Sequence, residues 1–187
     1  MRKSLPKSRF IKEDVDAQAM ENPSALIQYA RSMSPGQWYV TLKLDKKESK
    51  YNLPKGILQH LIDIESKGNL DAKSSKGAKS LFGIMPSGKS GFMGNINDPV
   101  ETAEFAAKTL HDLIRYFGNS IEEGLAAYNC GMGTLSKRGI QNVPLQTKKY
   151  LKFFREKGII PQNGVDVGSW GEDQAEGSWG ENSWIKH

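Results

Sequence analysis

The stretch GILQHLIDIESKGNLDAK, residues 56–73, begins as an amphipathic helix and then places an acid where an apolar residue would be ordinary. Leu58, Leu61 and Ile62 recur at helical spacing, and Glu65 comes seven, four and three residues after them, so its carboxylate shares their stripe. A buried carboxylate without partners is costly unless it keeps its proton. The flanking sequence has to supply the reason for it.

Upstream, Asn52 is a candidate cap and Pro54 suits a first turn, which predicts a helix running to about Ser66. Downstream come a Gly-, Ser- and Lys-rich loop, KGNLDAKSSKGAKS (67–80), and a short apolar segment, SLFGIMPSG (80–88), stopped by Pro86 and Gly88. Asp98-Pro99 opens the clearest helix, with Ala103, Ala106, Ala107, Leu110, Leu113, Ile114 and Phe117 on one face and Gly118 at its end. Ser120 with Glu123 is a capping-box pattern, starting a short helix to about Tyr128. GMGTLSKRGIQNVP (131–144) reads as a loop, and a last helix runs from Thr147 to about Lys157.

The two ends differ from this middle. Residues 1–50 are weakly patterned, with one helix candidate at 24–33 and a Pro35-Gly36 turn, and read as a basic arm or packed-on extension. Residues 161–187 contain GSWGED (168–173) and GSWGEN (177–182), a near repeat that presents Trp170 and Trp179, with Trp184 close behind. Two copies are too few for a repeat fold, so this is a low-complexity Gly/Ser/Trp acidic tail. The middle, residues 51–160, is a mostly α domain without a convincing strand ladder.

The 187 residues suffice for one main domain with extensions, and no run approaches the ~18 apolar residues of a membrane span. The start MRKSLPKSRFIKEDVDA is basic but lacks an apolar core behind it, so export by a cleaved signal is not expected. A single cysteine, Cys130, excludes an internal disulfide and a multi-cysteine zinc site. His60, His111 and His187 show no metal-ligand spacing, and neither metal nor cofactor is expected. Residues 166–187 hold five acidic and one basic side chain, against net positive charge over the rest of the chain. That basic body invites a polyanion, but aromatic and basic residues are not interleaved, and nucleic acid is not the expected partner.

The segment between Glu65 and Pro86 is where the sequence becomes specific. ESKGNLDAKSSKGAKSLFGIMP (65–86) resembles the signature of the soluble lytic transglycosylase family, and Asp98-Pro99 with its alanine-rich helix, LAAYNCGMG (125–133) and PLQTKKYL (144–151) resemble its remaining blocks in order. The resemblance covers roughly residues 50–155. It implies a lysozyme-like helical fold and cleavage of the β-1,4 bond between N-acetylmuramic acid and N-acetylglucosamine in peptidoglycan glycan strands. Glu65 would be the catalytic acid, protonating the glycosidic oxygen and then, as carboxylate, taking a proton from the muramoyl 6-hydroxyl to give a 1,6-anhydro product. An apolar wall that disfavours the ionised form would keep such an acid protonated near neutral pH. A second carboxylate, as in most glycosidases, is hard to find: Asp63 lies on the other side of the helix and Asp71 in a polar loop.

By the same resemblance, Ser66, Ser74, Phe82, Gly83, Met85, Tyr128, Asn129 and Tyr150 would line the substrate site, with Ser66 also steadying the helix end. For Met85, Tyr128 and Tyr150 the alternative is core packing, and for Ser74 a plain loop serine. Three positions depart from the pattern: Gly83 replaces a substrate-contacting glutamine, Ser80 a glycine, and Gln146 the glutamate of a Glu-Thr pair. Substrate outside the membrane and no evident export signal together suggest delivery in a bacteriophage particle during genome entry, or by a secretion machine. Residues 1–50 and 161–187 would then contact other virion or secretion proteins. The alternative is a structural virion protein that keeps the fold with little or no activity, for which Gly83 and Gln146 are the supporting features.

Overall fold

The computed structural model describes residues 29–86 and 91–161, and residues 29–32 are already helical. The order is then α1 (Pro35–Thr41), α2 (Leu44–Lys50), α3 (Ile57–Glu65), α4 (Pro99–Tyr116), α5 (Ile121–Cys130), α6 (Met132–Arg138), a 3-10 turn at Ile140–Asn142, and α7 (Leu145–Glu156). Among the described residues β pairing is confined to isolated antiparallel bridges, Lys73 with Lys79 and Lys79 with Ile84. The fold class expected from the sequence, mostly α, is the one observed.

α4 forms where the sequence places it. The Asp98 carboxylate accepts hydrogen bonds from the Val100 and Glu101 N–H groups at 2.7 and 3.2 Å, and Pro99 occupies a first-turn position where no intrahelical N–H is needed. Its apolar face buries Ala103, Ala106, Ala107 and Leu110 completely. α5 starts at Ser120, whose Oγ accepts from the Glu123 N–H at 3.2 Å, and lies so close to α4 that a Cβ on Gly124 would come within 3.0 Å of the Ile114 backbone. α7 packs against both α5 and α3, burying Leu151 and Phe154.

α3 forms the centre of the domain. Ile57, Leu58, Leu61 and Ile62 are wholly buried, each contributing roughly 1.5–3 kcal/mol by leaving water. Its start has no side chain of its own to cap it, because Gly56 stands there with φ +83°. The cap comes from α2 instead. Glu48 is buried, its Oε1 accepting from the Leu58 N–H at 2.9 Å and its Oε2 from the Gly56 N–H at 2.8 Å and the Tyr39 hydroxyl at 2.7 Å. A carboxylate at a helix N-terminus satisfies orphan donors and meets the favourable end of the dipole.

One open alternative is decided and two expectations change. Of the two readings of residues 1–50, arm or packed-on extension, the described second half takes the packed one: Met33, Trp38, Leu42 and Leu44 belong to the core, and the Trp38 indole N–H donates to the Gly68 carbonyl at 2.9 Å. Asn52 does not cap α3; it adopts φ +49°, and Glu48 takes that role. Residues 131–144 are not a loop throughout, since Leu135 is buried and gives α6 an anchor. The first part of the 24–33 candidate and the tryptophan-bearing tail lie outside the described residues.

On the surface, Glu104 of α4 ties down α2: it accepts from Lys47 Nζ at 2.9 Å, from Lys50, and from the Tyr51 hydroxyl at 2.7 Å. Its bond to Lys50, with those to Tyr51 and Lys47, holds its carboxyl at about 2.

Replacing the buried cap is the sharpest test of this arrangement. Glu48→Ala strands two backbone donors and a phenol, and is expected to destabilise the fold by about 3 kcal/mol in urea unfolding. A change under about 1 kcal/mol would show that the cap is dispensable.

Candidate active site

Glu65 is the last helical residue of α3, so its position inherits the rigidity of the buried helix before it. Ser66 closes the end: its hydroxyl donates to the Ile62 carbonyl at 3.0 Å and accepts from the Gly68 N–H at 3.2 Å. The chain then turns through the two bridges, with Lys79 and Ile84 exchanging N–H···O bonds at 2.8 Å in both directions. Closing that turn in four residues puts both Ser80 and Gly83 in the left-handed region, at φ +72° and +64°.

The turn brings Gly83 onto the Glu65 carboxyl. A Cβ at position 83 would lie 2.9 Å from Glu65 Cδ and closer still to Oε2, so a larger residue there would push the carboxyl out of its present position. The Tyr128 hydroxyl donates to the Phe82 carbonyl at 2.9 Å and fastens the turn to α5. The Tyr150 hydroxyl, from α7, is buried near the same carboxyl; it is outside ordinary hydrogen-bond geometry, although close enough to pull the acid downward.

Burial dominates the electrostatics. The Glu65 side chain keeps partial surface exposure, but its carboxyl is walled closely enough that desolvation raises it to about 7. The Tyr128 and Tyr150 phenols are pushed well above their ordinary range, first by burial and then by the Glu65 charge. Among the described residues no second carboxylate contributes to the Glu65 shift. Asp71 is exposed and paired with Arg31 Nε at 2.6 Å. An acid that keeps a large protonated fraction at neutral pH and shows its open side to solvent can both give and take a proton there.

Of the expected site residues, Glu65, Gly83, Tyr128 and Tyr150 are brought together. Asn129 lies next to Tyr128, and its Oδ1 accepts from the Thr147 hydroxyl at 2.9 Å. Met85 is half-buried directly after the bridge at Ile84. Ser66 is buried, with its hydroxyl engaged by its own helix end; Phe82 is wholly buried, so its carbonyl rather than its ring serves the site. The Ser74 hydroxyl accepts from the Ala78 N–H at 3.0 Å and braces an exposed turn. Tyr150 also does core work, its ring 5.1 Å from that of Phe154.

Two further residues support the site: Thr147 belongs to a block the sequence singles out, whereas Trp38 carries no signal there. Thr147, wholly buried, positions Asn129, while the neighbouring Gln146 is exposed. Trp38 holds the loop that leaves Glu65. The left-handed backbone at Ser80 also accounts for the glycine its position resembles, since a non-glycine residue there carries strain of order 1 kcal/mol. Among the described residues no group of three or more His, Cys, Asp or Glu side chains could hold a metal ion.

Residues 43–151 match the transglycosylase SLT domain family. In fold, the chain is similar to a crystal structure of the 70 kDa soluble lytic transglycosylase from Escherichia coli, with a TM-score of 0.53 and 24% identity over 62% of this chain. The aligned part is 22% of that protein's length, so this chain corresponds to about a fifth of it.

The raised acid has a thermodynamic consequence. Its folded value, about 7, lies above the 4.5 of an unperturbed glutamate, so the stability it contributes in the protonated form is present below about pH 4.5 and lost as pH rises through 7. Glu65→Gln, which cannot ionise, should therefore be more stable than wild type at pH 8 by up to about 3 kcal/mol and nearly equal to it at pH 4. Equal stabilities at both pH values would place the carboxyl in water.

Proposed function

The chain belongs to the transglycosylase SLT domain family, and on that premise we propose that it is a peptidoglycan lytic transglycosylase in which Glu65 is the sole acid and base. The observation that carries the reading is the Glu65 carboxyl itself, held at about 7 by burial between Gly83, Tyr128 and Tyr150.

The chemistry then runs on one group. Protonated Glu65 gives its proton to the oxygen of the β-1,4 bond between N-acetylmuramic acid and N-acetylglucosamine as the C1–O bond breaks. The resulting carboxylate takes the proton of the muramoyl 6-hydroxyl as its oxygen bonds to C1, closing a 1,6-anhydro ring. Proton count is conserved and Glu65 ends as it began. Internal attack is favoured over a two-carboxylate hydrolysis because, among the described residues, the candidate second acid Asp71 is exposed and paired with Arg31. In this reading Asn129, steadied by Thr147, and Met85 meet the sugar, while Tyr128 holds the turn that carries Gly83.

The fit of Gly83 against the acid supports an active enzyme over a structural protein that has lost its activity. Gly83 does not simply lack a contact; it makes room for the carboxyl. Gln146 is exposed, and the buried partner in that pair, Thr147, is present. For biological setting, we infer local degradation of a host wall by a phage particle during genome entry, with the terminal segments meeting other particle proteins. No helix among the described residues is long and apolar enough to cross a membrane.

Digestion of purified peptidoglycan, read by mass spectrometry, tests the proposal. Wild type should release anhydro-muropeptides at a rate that falls above about pH 7, and Glu65→Gln should be slower by about 10²–10⁴-fold. Reducing-end products would make it a hydrolase, and no release by folded wild type from several wall types would return the structural alternative.

A further inference from the structure

The acidic tail repeat is unaccounted for by the chemistry at Glu65, and so is a concavity elsewhere on the surface. That concavity measures about 380 Å³ and lies between α2 and the start of α4. None of its lining residues belongs to the end of α3, the 80–86 turn, α5 or α7. Lys43, Lys46, Lys47 and Lys50 rim it at i, i+3, i+4 and i+7, so the four ammonium groups share one helical stripe. Leu42 and Val100 add apolar surface, and Val100 is 57% exposed with no side chain of the described residues covering that part.

The charges in this groove do not balance locally. Among the described residues Glu104 is the only acid that lines it, and it is already shared by Lys47 and Lys50. Lys43 and Lys46 are exposed and form no ion pair among the described residues. The groove therefore offers two unpaired cations beside an apolar patch, a combination suited to a ligand that brings carboxylates and a flat apolar group together.

The same chain carries such a ligand twice. In Trp170-Gly-Glu172 and Trp179-Gly-Glu181 an indole stands two residues ahead of a carboxylate, within a segment of five acidic side chains and one basic one. We propose that the lysine-rimmed groove of α2 and α4 is the docking site for this C-terminal segment of its own chain, one Trp-Gly-Glu unit at a time. Reach is sufficient: the nine residues from Pro161 to Trp170 can span up to about 30 Å and the eighteen to Trp179 about 60 Å, against a radius of gyration of about 14 Å for a domain of this size. Tethering supplies a local concentration in the millimolar range, so weak individual contacts suffice. With two units and one groove, one unit stays free at any time to meet another protein.

Zero-length carbodiimide cross-linking of the full chain tests this, with linked peptides mapped by mass spectrometry on a mixture of unlabelled and ¹⁵N-labelled protein. Cross-links within one chain from Glu172, Asp173 or Glu181 to Lys43 or Lys46 should be several-fold more abundant than those to the other exposed lysines, such as Lys148 and Lys149, and should fade at high salt. The Lys43→Glu, Lys46→Glu double variant should lose the preference while keeping activity on peptidoglycan, since neither residue touches the Glu65 site. Tail cross-links spread evenly over exposed lysines, or found only between chains, would overturn the proposal.

Discussion

The structure depends on one unfavourable placement: a carboxyl on the apolar face of a helix, enclosed so that its charge is poorly solvated. Everything around α3 serves that placement. Leu58, Leu61 and Ile62 anchor the helix in the core, so its last residue cannot retreat to water. The tight turn after it returns Gly83 to the carboxyl, and Tyr128 and Tyr150 come from α5 and α7 to enclose it. Burial then does the chemical work by shifting the acid to where it can hold and release a proton near neutrality.

The two ends of α3 show opposite treatments of the same functional group. Glu48 enters from α2 and is given three donors, two of them backbone N–H groups at the start of the helix. Glu65, at the other end, is given walls. One carboxyl stabilises the helix by capping it, and the other is disfavoured in its charged form by burial. That division explains why α1 and α2 matter for a site they do not touch: they supply the cap and, through Trp38, hold the loop that leaves the acid.

Much of this is legible in the sequence, and the rest is hidden for physical reasons. Periodicity and caps reveal α3, α4, α5 and α7, because each has a long apolar stripe or a local starting signal. Ser34-Pro35-Gly36-Gln37 carries such a signal behind a Pro-Gly pair that reads as a turn: the Ser34 hydroxyl and the Gln37 side chain cap each other's backbone, starting α1 with Pro35 at its first position. α6 has a single buried apolar residue, Leu135, too little for a period to show. Glu65, Tyr128 and Tyr150 can be found by pattern, but the meaning of Gly83 cannot. Its value comes from a positive φ and a contact across eighteen residues of sequence, neither of which leaves a local mark. Glu48 is hidden for the same reason, since an acid in a lysine-rich stretch reads as solvated until the fold turns it inward.

The central claim, that burial alone holds the Glu65 carboxyl protonated toward neutral pH, is open to direct measurement. Side-chain carboxyl ¹³C shifts of labelled glutamate would be tracked by NMR against pH, with the Glu65 signal assigned by its loss in Glu65→Gln. A midpoint near 7 is the result this account predicts. A midpoint near the ordinary glutamate value of 4.5 would contradict it, and with it the reading of the site as a single-acid catalyst.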